Sequence, residues 1–263
     1  MENEVFKGLK LRPIETKKII FKCEKHGEVP VEVVISDNEV VNPHCPICER
    51  EEEARLEAQK EKERKEKERE EQIARYKSMN IEQEFWDKTI DDYKPTCECQ
   101  QKAKDAVKRL IERKHGKVIL IGNNGAGKSH LGNAAVSALN GKVLTVYEVN
   151  AMIRQSYSSL ATKTELEIVQ ELASVPMLFL DEFGRSKNSK FQLDWLSFVL
   201  DKRHQRGLPF MFAGNGHLRR DCPNGKDCDE CFETYLGDDI LSRLRQDTEV
   251  ITMYDAPDYR RKK

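Results

Sequence analysis

Val118-Ile119-Leu120-Ile121-Gly122-Asn123-Asn124-Gly125-Ala126-Gly127-Lys128-Ser129 decides the fold: an apolar run empties into a glycine loop that ends in Lys-Ser. A strand followed by this spacing is the pattern of a phosphate cradle. Glycine is needed because the backbone must turn tightly and approach an anion, so that loop amides and the next helix's N-terminus point at phosphate oxygens. The backbone of Gly122, Asn123, Asn124, Gly125, Ala126 and Gly127 is therefore expected to wrap a nucleoside triphosphate. Lys128 is expected to reach its β- and γ-phosphates, and the Ser129 hydroxyl to hold Mg²⁺. A plain strand-to-helix turn is the competing explanation, disfavoured because both flanks supply the context the motif demands.

Downstream, Pro176-Met177-Leu178-Phe179-Leu180-Asp181-Glu182 reads as an apolar strand ending in two carboxylates. Asp181 is placed to hold magnesium through its shell, and Glu182 to polarise an attacking water, which favours hydrolysis over phosphoryl transfer to another acceptor. The competing view is that both merely cap the next helix. Phe210-Met211-Phe212-Ala213-Gly214-Asn215 is a further apolar strand, ending in an amide that could sense the γ-phosphate. With strands expected at 118–121, 143–147, 177–180, 210–213 and 250–253 and helices between them, the chain from Ile81 onward has the rhythm of an α/β fold. Its parallel sheet is covered by helices, and ligands are expected at the carboxyl ends of the strands. No internal repeat is visible.

With these residues in view, the chain resembles the AAA+ ATPases, and more narrowly the DnaC/DnaI-type helicase loaders with their IstB-like relatives. The resemblance covers roughly residues 81–260. It rests on IEQEFWDKTIDDYKP from Ile81 to Pro95, on the phosphate loop with Ser129-His130-Leu131, on Asp181-Glu182-Phe183-Gly184, on Asn215 and on Leu241-Ser242-Arg243-Leu244. It implies that Ile81 to Phe85 packs near the adenine, that Asn215 is the first sensor and that Arg243 is an arginine finger inserted into a neighbouring subunit's ATP. An isolated helical Arg is otherwise more often a surface ion-pair partner. After Met253 ten residues remain, so no C-terminal lid domain and no second sensor arginine are expected. Residues 216–236, rich in Cys, Asp and Gly, look like an insertion where related loaders have a short link.

Residues 1–48 form a second element of organisation, a small module with short strands at Ile19-Ile20-Phe21 and Val29 to Ile35. Its apolar content is too thin for a core of its own, and below about 40–50 residues a domain usually needs a metal or disulfides. Cys23-x2-His26 and Cys45-x2-Cys48, separated by eighteen residues, supply paired knuckles whose first and last ligands curl toward one point, as tetrahedral Zn²⁺ requires. His44 is an adjacent candidate ligand that more simply points outward. Cys222-x5-Cys228-x2-Cys231 offers three further thiolates and needs a fourth ligand, for which His217, Cys97 or Cys99 would serve. Cys97 and Cys99 point to opposite sides if their segment is extended, so free thiols suit that pair better. From Cys48 to about Arg75 the composition turns to Glu, Lys and Arg. Pairs four apart, Glu61 with Lys65 and Glu63 with Lys67, favour a solvated helical linker over residues 49–80. A dimerising coiled coil would need an apolar seam, which the stretch from Ala58 to Ile73 lacks.

Over the whole chain, 263 residues with 38% hydrophobic content allow one core with appendages. The net charge of -1 provides no global basic field to draw in nucleic acid. The acidic, polar start and the lack of a run of roughly 20 apolar residues lead to the expectation of a soluble cytoplasmic protein. Eight cysteines without an export signal favour reduced thiols and metal ligands over disulfides.

The region after the second strand carries Arg154 and Tyr157, able to neutralise a phosphate and stack a base of single-stranded DNA, as the resembled family's channel-facing segment does. An ordinary amphipathic helix explains them equally well. Arg260-Arg261-Lys262-Lys263 could add to a phosphate-facing patch. The expectation is thus an ATP-hydrolysing protein that oligomerises on ATP and loads a replicative DNA helicase onto single-stranded DNA. Residues 1–48 would grip the helicase, 49–80 would act as spacer and 81–263 as the ATPase domain. The rivals are an IstB-like transposition helper, a nucleotide-switched adaptor without catalysis and, least favoured, a small-molecule kinase.

Overall fold

The computed structural model describes residues 15–36, 39–40, 44–183, 190–222, 228, 231–244 and 246–259. The chain divides into two units, residues 1–71 and 72–263.

In the first unit, strand β1 (Glu15–Cys23) pairs antiparallel with β2 (Gly27–Ser36), and β2 pairs with the short β3 (Glu39–Val40). Both predicted strands are present and longer than their apolar cores, because Thr, Lys and Glu alternate with Ile and Val on the solvated face. The turn between them closes Cys23 against Gly27, which sits at φ +72°, a left-handed conformation that glycine adopts without a Cβ clash. The buried set here is small: Val33, and a cluster of Cys23, Val29 and Cys45 with Phe21 and Cys48 packed against it.

Helix α1 (Pro46–Ser78) begins in this unit and reaches into the second. Its surface is polar all round, and Tyr76 is the buried residue along it. Glu61 pairs with Lys65 at 3.3 Å as the spacing predicts. Glu63 instead accepts from Gln59 at 2.9 Å, and Lys67 approaches Glu71 at 4.0 Å. These exposed pairs favour the helix by only about 0.3–0.5 kcal/mol each.

The second unit continues with a 3-10 turn (Gln83–Phe85), α2 (Glu98–Arg113), β4 (Lys117–Gly122), α3 (Lys128–Leu139), β5 (Lys142–Thr145), α4 (Val146–Gln155) and α5 (Glu165–Ser174). Then follow β6 (Leu178–Phe183), α6 (Lys190–Gln205), β7 (Phe210–Gly214), a 3-10 turn (Arg219–Asp221), α7 (Phe232–Leu244) and β8 (Thr248–Met253). The five strands form one parallel sheet in the order β5-β6-β7-β4-β8. Alternate residues of each central strand feed two cores. Ile119, Ile121, Leu178, Leu180, Phe210 and Phe212 pack with α4 to α7, whereas Val118, Leu120, Phe179, Met211 and Ala213 pack with α2, α3 and the end of α1. Burial on both faces explains why the strands read as continuous apolar runs. Each fully buried Leu, Ile or Phe contributes roughly 1.5–3 kcal/mol relative to exposure.

The second strand ends two residues earlier than the sequence suggests. Thr145, the last residue of β5, caps α4: its hydroxyl accepts from Glu148 N–H at 3.1 Å, and the Glu148 carboxylate accepts from Thr145 N–H at 2.7 Å. This reciprocal capping box turns Val146 and Tyr147, apolar residues of strand type, into the first turn of a helix. Arg203 on α6 is buried to 1% exposure. Its guanidinium donates to the carbonyls of Leu172 (2.9 Å), Val175 (2.8 Å), Pro176 (3.5 Å) and Pro209, tying the end of α5 to the chain that enters β7. Burial lowers its pKa to about 9.

Candidate functional site

The carboxyl ends of β4, β6 and β7, three adjacent strands, open into one cleft of about 510 Å³. Its lining brings together the glycine loop, Lys128, Ser129, Asp181, Glu182 and Asn215 with Phe85, Tyr93 and Tyr259. The loop cannot tolerate side chains: a Cβ at Gly122 would meet the Met253 carbonyl carbon at 2.6 Å. One at Gly127, which caps α3 at φ +91°, would run into the Tyr93 ring.

Lys128 is 7% exposed. Its ammonium donates to the carbonyls of Gly122 (2.8 Å) and Asn123 (2.8 Å) and to Asn215 Oδ1 (2.9 Å), so it is desolvated and aimed across the loop mouth. Asn215 Nδ2 in turn donates to Asn124 Oδ1 at 2.8 Å, which ties the end of β7 to the loop on β4. A cation held by neutral acceptors at a helix N-terminus is a fitting receptor for a polyphosphate.

Asp181 is half-buried, and burial raises its carboxyl above the usual range, opposed by the Ser129 hydroxyl and the Glu182 N–H that bond to it. The Glu182 N–H reaches Asp181 Oδ1 at 2.8 Å. A hydroxyl and a carboxylate in contact are a hard-oxygen pair able to hold Mg²⁺, whose charge would offset the cost of burying Asp181. Glu182 is exposed and adopts φ +55°, within a break in the β6–β7 register between Leu180 and Phe183. A left-handed glutamate in a strand costs roughly 1–3 kcal/mol, a strain typical of residues whose side chain must be aimed. The motif does not reveal that twist.

Other residues of the cleft escaped the sequence reading. Tyr93 Oη donates to Ala126 O at 2.8 Å, its ring lies 5.5 Å from His130 and 5.7 Å from Tyr259, and Tyr259 N–H donates to Gly125 O at 3.0 Å. Two tyrosines therefore buttress the loop from outside. The signal for Tyr93 lay within the Ile81–Pro95 segment, but its contact is made 33 residues away. Phe85 lines the cleft, while Ile81 is buried in the core and accepts from Trp86 Nε1 at 2.9 Å.

Of the residues expected in partner and DNA contacts, Arg243 lies on α7, and its side chain lies outside the described residues. Arg154 closes α4, exposed, and Tyr157 follows it at 65% exposure with its hydroxyl on the Glu165 carboxylate. Gly184 and residues 260–263 lie outside the described residues. Cys97 and Cys99 are free thiols, as expected; Cys97 is the extended N-cap of α2 and Cys99 lies in its first turn, which brings their sulfurs to 2.7 Å of each other.

In the first unit, Cys23, His26, Cys45 and Cys48 gather so that their ligand atoms all lie within 4.8 Å of one another. The Cys23–Cys48 sulfur separation is 3.5 Å, and His26 Nδ1 lies 3.7, 3.7 and 3.3 Å from the sulfurs of Cys23, Cys45 and Cys48. Zn–S bonds of ~2.3 Å set tetrahedral edges of ~3.8 Å, so the set fits Zn²⁺. His26 Nε2 faces Glu51 at 3.3 Å, the outer carboxylate that commonly orients a ligating imidazole. The N–H groups of His26 and Lys25 lower the Cys23 pKa to about 6, whereas the neighbouring Cys23 thiol pushes Cys48 up to about 11. His44 turns away to Glu49 at 2.8 Å. No helix among the described residues is long and apolar enough to cross a membrane.

Comparison with known proteins matches these features. The chain is 23% identical over 180 residues to the replicative helicase loader DnaC of Escherichia coli strain K12, covering 65% of this chain and 69% of that protein. Its fold is similar to the crystal structure of the DnaC helicase loader (TM-score 0.53, 18% identity, 65% of this chain and 99% of that one). It is also similar to that of DnaI (TM-score 0.51, 22% identity, 66% and 95%). The sequence profile of the IstB-like ATP binding proteins matches residues 51–262, and the chain belongs to that family.

Proposed function

We propose that this protein hydrolyses ATP and loads a replicative helicase onto single-stranded DNA. The observation that carries the reading is the convergence of Lys128, Ser129, Asp181, Glu182 and Asn215 in one cleft at the ends of three neighbouring strands. Family membership and the likeness to helicase loaders give the activity its direction.

In this reading Lys128 and the amides of residues 122–127 bind the β- and γ-phosphates, and Ser129 and Asp181 hold Mg²⁺, which supplies charge neutralisation at the phosphates. Glu182 takes a proton from the attacking water, and Asn215 positions that water. Arg243 acts on the ATP of a neighbouring copy, so that turnover depends on assembly. Arg154 and Tyr157 contact single-stranded DNA. Cys23, His26, Cys45 and Cys48 hold Zn²⁺ and shape a helicase-binding module over residues 1–48, joined through residues 49–80 to the ATPase domain of 81–263.

The test is nucleotide binding and turnover by the full chain with single-stranded DNA and a replicative helicase. Lys128→Ala should weaken ATP binding at least 100-fold, and Glu182→Gln should keep binding while lowering turnover by about 10²–10⁴-fold. Unchanged ATP affinity in Lys128→Ala would sink the reading. The family match favours one second reading, a helper ATPase for a transposase. Capture of a transposase and not of a helicase by the full chain would select it.

A further inference from the structure

The exit of β7 and the start of α7 carry a second set of soft ligands in the ATP-binding unit. His217 follows Asn215 by two residues, and Cys231 directly precedes α7. Their backbones pair in a parallel bridge, and Phe232 N–H donates to His217 O at 2.8 Å. Into this junction come Cys222, at the end of the 3-10 turn, and Cys228, whose carbonyl accepts from Cys231 N–H at 3.4 Å. The ligand atoms of all four lie within 4.8 Å of one another. His217 Nε2 is 3.0 Å from the Cys222 sulfur and 3.3 Å from that of Cys228, and Cys231 and Cys228 are 0% and 7% exposed.

We infer that His217, Cys222, Cys228 and Cys231 form a closed structural zinc centre that fastens the end of β7 to the first turn of α7. Three thiolates and one imidazole are the donor set of structural zinc, and four protein ligands leave no position for substrate. Three apolar thiols packed as small hydrophobes is the plain alternative. It does not account for an imidazole nitrogen directed at two sulfurs, where a dry cluster would leave the ring nitrogen without a strong partner. The knuckle Cys228-x2-Cys231 and the distant His217 and Cys222 resemble in economy the Cys-x2-His and Cys-x2-Cys pairs of the first unit. The centre serves a purpose at this place: Asn215 directly follows β7 and α7 bears Arg243, so the metal fixes the backbone between a residue facing the cleft and one on the helix. The functional value of that link rests on the reading proposed above, but the metal count does not.

The experiment counts zinc in the purified full chain by elemental analysis, with cobalt(II) exchange as a second readout. The double variant Cys45→Ser/Cys48→Ser should retain one equivalent of zinc, and its cobalt form should show thiolate-to-metal absorption. Adding Cys222→Ala and Cys228→Ala should remove both. A double variant without zinc overturns the inference, as does zinc that survives the additional changes. Should the alanine variants fail to fold, Cys228→His in the same background keeps four ligands. It is expected to hold one zinc with a weakened and shifted cobalt charge-transfer band, and an unchanged band would overturn the assignment. Because ATP is absent from these measurements, a failed ATPase reading leaves them intact, and the reverse holds too.

Discussion

In residues 1–71 the described core reduces to Cys23, Val29, Val33 and Cys45 with Phe21 and Cys48 partly buried beside them, whereas residues 72–263 fill both faces of a sheet with Leu, Ile, Val and Phe. The contrast separates two sources of stability. A hairpin with so few buried side chains does not offset the entropy of ordering its chain by apolar burial alone, and its remaining resource is a bond network centred on sulfur and imidazole. The sheet needs no such aid for its core. Of its buried polar side chains, Lys117 opens β4, and Gln100, Lys128, Asn133 and Arg203 stand on the covering helices.

Four substitutions test the contrast, in descending order of effect. Cys48→Ser should cost the first unit nearly all its order, since structural zinc sites contribute on the order of 10 kcal/mol of folding free energy. Hydrogen exchange should lose protection across β1 and β2 and keep it in β4, and persistent protection in the hairpin would break the comparison. In the second unit the largest polar effect is expected at Arg203. Arg203→Met strips a donor from four carbonyls, those of Leu172 and Pro209 buried and those of Val175 and Pro176 partly so, and should lower stability by about 2–4 kcal/mol, read from the urea midpoint. Thr145→Ala removes the cap of α4 and should cost about 1 kcal/mol in the same assay, with the loss confined to that helix by exchange. Glu61→Ala on α1 should change stability by less than ~0.5 kcal/mol, an effect that disappears in ~1 M salt. A loss above 1 kcal/mol would mean that the polar helix contributes more than solvated ion pairs.

The strand-loop-helix at 118–129, the carboxylates at 181–182 and the first cysteine cluster were legible because each is local: apolar runs, glycine spacing and paired ligands three residues apart. Boundaries set by competition were not. Val146 and Tyr147 continue an apolar run, yet the Thr145-Glu148 capping box claims them for a helix. Long-range partners were hidden as well. Nothing near Tyr93 announces Ala126 and Gly127, and nothing near Arg203 announces the carbonyls that receive it, since those contacts exist only after β4, α5 and β7 are in place. His217 stood beside Cys97 and Cys99 as a possible fourth ligand, and its bridge to Cys231 and the approach of its Nε2 to the sulfurs of Cys222 and Cys228 distinguish it.

The left-handed backbone at Glu182 has an evolutionary consequence. Glycine or asparagine would rest there at lower energy, so a laboratory selection for heat tolerance alone would enrich them at position 182. On the proposed function, sturdier descendants would then be the ones that no longer turn over nucleotide, and a lineage under both demands would keep its least comfortable residue.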